Sequence, residues 1–290
     1  MAIKRIAGKI GGRAALLAPL AFIVVFLIAP LAFAFVMSFW KRVGFQVRPG
    51  FSLKAYASFI HGPQHVILYH SLWMAAAATL VSLVIAYAAA YLAAFRLRRS
   101  ATRVILFMFA APFFINYIIR DFAWTDLLGR NGPVNEALQW VGLIHEPLSW
   151  LMYSDFSVML GLVASYMPFM VFPIWLALVG IDQRLVEAAT MLGARPWKAF
   201  VMVTLPLSMP GVFAAVIFGF VGSFGADAVA TVMGGTGYQL AGNTISSAMN
   251  ILNYPLAAAI SSVVVLSLLV LMGVWYAVFD IRTFLGRLVR

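Results

Sequence analysis

Thiol chemistry is closed to this sequence, because it contains no cysteine: disulfides, thiolate metal sites and a cysteine nucleophile are excluded together. Three of its four histidines fall in one short stretch, His61, His65 and His70. A zinc site would need them on a common element with a further ligand. Gly62-Pro63 interrupts any helix shared by the first two, and no carboxylate sits at ligand spacing. Gly8-Lys9 is followed by Ile10, so no phosphate-binding P-loop is written here or elsewhere. Neither paired carboxylates nor a nucleophile–base arrangement argues for catalysis.

What remains is charge in unusual places. Asp227 is the one acid well inside a long apolar run, where a carboxylate costs about 2.5–3.5 kcal/mol at a helix centre. Gly219, Gly222 and Gly225 precede it and Gly234 and Gly235 follow, so this stretch can bend and pack closely on a neighbour. Two readings stand: a carboxylate facing a wet pathway and a cationic substrate, or one near the interface bonded to a backbone group or to Asn243. Asp121, Asp126, Glu136, Glu146 and Asp155 are interleaved with Trp124, Trp140 and Trp150. That mixture suits an organic cation, through charge and cation–π contact. It equally suits anchoring helices at an interface, or pairing with Arg120 or Arg130.

The elements that must position these residues follow from composition. The chain has 290 residues, 64% of them hydrophobic and only 10% charged. An average soluble domain is about half apolar and about a quarter charged, so too little polar surface exists to solvate a globule of this size. A bilayer core about 30 Å thick takes about 20 apolar residues per helix. The apolar runs predict an all-α, polytopic membrane protein with six transmembrane helices, at about 14–40, 71–95, 104–124, 156–181, 209–233 and 256–279, forming a single transmembrane domain over 1–290. The first run follows a basic arm, and Ala32-Phe33-Ala34 resembles a cleavage site. A signal core is about 7–15 residues and this run continues to Trp40, so an uncleaved span is expected. Two prolines, Pro168 and Pro173, should kink the fourth span, and a hinge there is the alternative reading.

The net charge of +11 is a matter of topology rather than of nucleic acid. Fourteen of the 20 basic residues fall on one side: Lys4, Arg5, Lys9 and Arg13; Arg96, Arg98, Arg99 and Arg103; Arg184, Arg195 and Lys198; Arg282, Arg287 and Arg290. By the positive-inside rule that side is cytoplasmic, with both termini. Lys41, Arg42, Arg48 and Lys54 in the first outer loop run against the rule locally.

The connection between the fourth and fifth spans, 182–206, is the most informative stretch. Asp182 suits a helix N-cap and Gly193 a left-handed C′ residue, enclosing a helix of about ten residues with Leu185, Ala189 and Leu192 on one stripe. Pro196 suits the first turn of a second short helix, and Pro206 and Pro210 lead into the fifth span. Glu187-Ala188-Ala189, then three residues, then Gly193-Ala194, with Leu205-Pro206 about a dozen residues beyond, resembles the EAA loop of ABC importer membrane subunits. The resemblance extends over about 14–280. Arg120-Asp-Phe-Ala-Trp124, Leu128-Gly-Arg-Asn-Gly132, Tyr166-Met-Pro-Phe-Met-Val-Phe-Pro173, Ser223-Phe-Gly-Ala-Asp227, Gly242-Asn243 and Asn253-Tyr254-Pro255 resemble segments of spermidine/putrescine-type permeases. Tyr254 stands where Trp is common, and Ala226-Asp227 replaces a more frequent Asp-Phe, which bears on the substrate rather than the family.

This resemblance implies the MetI-like permease fold, in a bacterial inner membrane. It implies one half of the pathway of an ATP-driven importer, for a polyamine or for another small solute such as an amino-acid derivative or phosphonate. Its implied partners are a second, homologous permease, two ATP-binding cassette subunits, an extracytoplasmic solute-binding protein and membrane lipid. ATP and Mg would be used by the ATPase, with no cofactor on this chain. Glu187, Ala188, Ala189, Gly193 and Ala194 would couple to the ATPase; Asp227, Asp121, Trp124, Tyr166 and Asn243 would line the substrate pathway. A secondary transporter driven by an ion gradient, or a membrane scaffold, would not need the 182–206 elbow.

Overall fold

The computed structural model describes residues 19–278, so the basic N-terminal arm and Arg282, Arg287 and Arg290 lie outside the described residues. Among the described residues, five helices are long and apolar enough to cross a membrane: α1 (Pro19–Met37), then α3 (Gln64–Arg96), Ser149–Val179, Pro196–Phe224 and Tyr254–Trp275. A bent pair brings the number to as many as six. The chain divides into two compact units, Met1–His65 with Ile245–Arg290, and Val66–Thr244.

In the first unit, α1 is followed by a two-stranded antiparallel hairpin, β1 (Lys41–Val43) and β2 (Gln46–Arg48), and by α2 (Lys54–His61). Gly44, at φ +64°, makes the turn between the strands. The Ser38 and Tyr56 hydroxyls meet at 2.8 Å, and the Phe39 ring stacks on Phe51 at 5.6 Å. α12 (Tyr254–Val278) packs against α1 and α2.

The second unit is organised by small residues. On α3, Ser71, Ala75, Ala78, Ser82, Ala86 and Ala90 recur at helical spacing and are all buried. Lipid supplies no hydrophobic drive between helices, so close approach of small faces is what holds them together. The same device joins α7 (Asp155–Val179) to α9 (Pro196–Phe224). A Cβ on Gly211 would strike Pro173 and Ala177; on Gly219 it would strike Met170, and on Gly222 the ring of Tyr166. One core gathers Met170, Val171, Ile174 and Leu178 of α7 with Ala86, Ala90 and Ala215. A second holds Leu128, Leu162, Val229, Met233 and Leu240.

Three sequence expectations need revision. The third run is two helices, α4 (Arg99–Ala110, extended by a 3-10 turn through Phe114) and α5 (Tyr117–Leu128), the chain bending by 102° at the break. Pro112 ends the first, and the Asn116 side chain starts the second by accepting the Ile118 N–H. The fifth run does not continue to 233: α9 stops at Gly225, and α10 (Ala228–Met233) is a separate short helix. Upstream, α9 begins at Pro196, so Pro206 and Pro210 lie within it and the elbow's second helix is simply its first turn.

Prolines disturb these helices in a specific way. α7 runs unbroken through Pro168 and Pro173. By contrast, the π-helical segments Val24–Ile28 and Phe200–Thr204 each come just before a proline, Pro30 and Pro206. A proline supplies no N–H and crowds the carbonyl four residues back, and a wider turn absorbs both effects.

Candidate functional site

The break between α4 and α5 turns one face of α5 inward, carrying Tyr117, Arg120, Asp121 and Trp124 at helical spacing. The first three line a cavity of about 600 Å³. Its other walls are Ser165, Tyr166 and Phe169 from α7, Phe113 from the 3-10 turn, and Gly225–Val229 at the break after α9. Two interruptions of helical structure and one continuous helix thus converge on a single space within the second unit.

Its polar groups are incompletely matched. Asp121 is fully buried, and neither carboxylate oxygen accepts a hydrogen bond from a described residue. Arg120 donates from Nη2 to the Ser165 hydroxyl at 3.1 Å, while its Nε has no acceptor among the described residues. Asp227 is exposed, and its Oδ1 accepts a long bond of 3.4 Å from Thr231. Aromatic rings frame these charges: Phe113 meets Phe169 edge-on at 4.4 Å, with Tyr166 beyond at 6.5 Å. A buried carboxylate without a partner is costly, and the arrival of a cation beside aromatic faces would relieve that cost.

Of the residues expected to line a pathway, Asp121, Tyr166 and Asp227 therefore share one cavity. Trp124 and Asn243 do not line it. Trp124 packs on the second core. Asn243 closes a loop, accepting from the Leu240 N–H and donating to the Tyr238 carbonyl, both at 2.7 Å. Arg120, Ser165 and Phe113 belong to the cavity although sequence singled out none of them for it; the Pro112–Asn116 helix break was the available signal.

A smaller polar cluster joins residues that lie far apart in the sequence. Asp155, first residue of α7, accepts the Tyr238 hydroxyl at 2.6 Å and meets His70 Nε2 at 3.2 Å. Burial and the neighbouring carboxylate push the Tyr238 phenol above its usual range, so it stays a donor. Of the three histidines considered for metal, His70 thus faces a single carboxylate.

The 182–206 elbow is built by local bonds. The Asp182 side chain accepts the Arg184 N–H at 3.0 Å and starts α8 (Gln183–Met191). At the other end Gly193 N–H bonds to Thr190 and Ala194 N–H to Ala189, both at 3.0 Å, a Schellman closure with Gly193 at φ +86°. Arg195 follows and Pro196 opens α9. Glu187 and Ala188 are exposed, and so are large apolar side chains: Met191 at 85%, Leu192 at 89% and Trp197 at 71%.

The fold is that of an ABC transporter permease. A crystal structure of a bacterial ABC transporter involved in the import of the acidic polysaccharide alginate superposes with a TM-score of 0.70, covering 92% of this chain and 94% of that one at 17% identity. Residues 82–284 match the family of binding-protein-dependent transport system inner membrane components, and the chain belongs to it as a permease subunit of an ABC importer. It is 34% identical over 234 residues to the spermidine/putrescine transport system permease protein PotB of Escherichia coli K12, covering 80% of this chain and 83% of that protein. To PotB of Haemophilus influenzae it is 30% identical over 257 residues, covering 88% and 89%. To the inner membrane ABC transporter permease YdcU of E. coli K12 it is 31% identical, covering 75% and 72%.

Proposed function

We propose that this subunit forms half of the inward path for a small organic cation of the spermidine or putrescine kind. The observation that carries the reading is the pairing of Asp121 and Asp227 with aromatic rings in one cavity, Asp121 buried with both oxygens unmatched. The 34% and 30% identities to PotB proteins support it. A second, homologous permease completes the path, two ATP-binding cassette subunits drive it, and an extracytoplasmic solute-binding protein delivers the substrate. This chain performs no chemistry of its own; ATP and Mg belong to the ATPases. Both termini are cytoplasmic, in keeping with the clustering of basic residues on that side. There the elbow from Glu187 to Ala194 docks on an ATPase, and its exposed Met191 and Leu192 supply apolar area for the contact.

A second reading has one observation in its favour. Arg120 lines the same cavity with an unmatched Nε, which suits a solute carrying a carboxylate beside its ammonium group, such as an amino-acid derivative. Uptake of labelled spermidine by cells or vesicles holding the whole importer separates the two. Competition by putrescine but not by zwitterionic amino acids is the expected result, and the reverse pattern removes the polyamine reading.

A further inference from the structure

We infer that the first unit binds one anionic phospholipid, with its phosphate held by Lys41, Arg48 and Lys54 and an acyl chain laid in the apolar groove between α1, α2 and α12. The basic residues are the starting point, because each stands where local electrostatics disfavours it. Lys41 and Arg48 are direct cross-strand partners in the hairpin, a like-charge pairing that destabilises a ladder. Lys54 is the first residue of α2, at the positive end of the helix dipole. No acid relieves them: the sequence has no Asp or Glu before Asp121, and none falls among the described residues of this unit. All three side chains are exposed. Arg42 is set apart by its use inside the protein, donating to the Gly44 and Ile251 carbonyls, both at 2.9 Å.

The groove supplies the second half of the site. It has a volume of about 520 Å³ and is walled by Leu31 and Phe35 of α1, Phe39 and Leu53 beside the hairpin, and Leu266 and Leu269 of α12. Phe39 lies two residues from Lys41, and Leu53 is next to Lys54. The Ser52 N–H bonds the Phe39 carbonyl at 2.7 Å, drawing both ends of the loop to the mouth of the groove. The aliphatic stem of Lys41 lies beside Gly50, leaving its ammonium group at the exposed end. Phe45 and Phe51 are each 75% exposed nearby, suited to the boundary between headgroups and acyl chains. A free phosphate would leave the groove unexplained, and so would an acidic protein surface. A phospholipid accounts for charge and groove together.

The test is native mass spectrometry of the full-length chain, purified in detergent and offered phosphatidylglycerol or phosphatidylcholine at equal concentration. Phosphatidylglycerol adducts should survive and phosphatidylcholine adducts should not. The Lys41→Gln, Arg48→Gln, Lys54→Gln triple variant should lower phosphatidylglycerol occupancy about tenfold or more, while Lys41→Arg with Lys54→Arg retains it. Ala34→Trp, which fills the groove, should also lower it, and an unchanged size-exclusion profile shows that each variant has folded. Equal retention of the two lipids overturns the proposal, as does an undiminished adduct in the triple variant. Displacement of the lipid by glycerol phosphate at equal concentration would make this a phosphate site and overturn it too. So would loss of solute-binding-protein docking in the triple variant with lipid adducts intact.

Discussion

The elbow and the cavity are unfavourable in opposite senses. At the elbow both helix ends are capped, by Asp182 at one terminus and the Gly193–Ala194 closure at the other, yet Met191 and Leu192 project into solvent. In the cavity the packing is close, with Gly222 seated against the Tyr166 ring, yet a buried carboxylate accepts no hydrogen bond from any described residue. Exposed apolar surface is improved by a protein surface, and a buried anion by a cation. The two deficits differ in kind, and the ATPase contact and the cation proposed above would each relieve one of them. The elbow's capping bonds also lie within a dozen residues of one another, whereas the cavity exists only because separate helices meet.

The largest test of this contrast is Gly193→Val. A β-branched residue at φ +86° costs about 1–2 kcal/mol and reopens the helix end, so co-purification of the ATPase should fall more than tenfold. Cavity-dependent substrate affinity, measured on the complex that still assembles, should not move. Retained ATPase capture would show that the elbow's shape is dispensable.

Asp121→Asn comes next and should act on the other region alone. Polyamine uptake should need about tenfold more substrate for half-saturation, with ATPase association unchanged. Because the variant removes a buried charge whose oxygens accept no hydrogen bond from a described residue, thermal unfolding of the detergent-solubilised protein should show it about 1–3 kcal/mol more stable. A loss of stability would mean that the carboxylate has a structural partner, which would dissolve the contrast.

Gly222→Ala should have a smaller effect. The added methyl pushes the Tyr166 ring toward the cavity and overpacks the α7–α9 contact, at a cost of about 1–3 kcal/mol in the same unfolding assay and a few-fold in uptake. The smallest change in stability belongs to Leu192→Ser, within about 0.5 kcal/mol of the parent because that side chain touches so little of its own chain. Its signature is a weakened ATPase contact on an unaltered fold.

Much of this molecule was legible as residues in a row. Asp182, Gly193 and Pro196 mark the two ends of α8 and the start of α9, because caps and left-handed glycines act through bonds to groups one to five residues away. The apolar runs were legible for the same reason, since a helix in lipid must satisfy its own backbone along its own length. Even so, no length of apolar sequence showed that the third run folds back on itself at Ile115-Asn116, or that the fifth ends at Gly225. Hydrophobicity is blind to direction, and one Asn or one Asp in an otherwise apolar run does not say whether the helix bends there.

The cavity lay beyond such reading. Asp227 drew notice because it interrupts an apolar run, and Asp121 because it neighbours tryptophans, but nothing in their spacing joined them to each other or to Ser165. Their meeting depends on a 102° bend, on glycines that let α9 lie against α7, and on Gly242 fitting tightly against the Gly225–Ala226 backbone. By itself the sequence determined where the long apolar runs lie, which side chains are charged and how the elbow is capped, since those are short-range matters of hydrogen bonding and solvation. The tertiary structure alone decided which charges share a space and which go unpartnered, because that depends on helices distant in the chain approaching closely enough to exclude other partners.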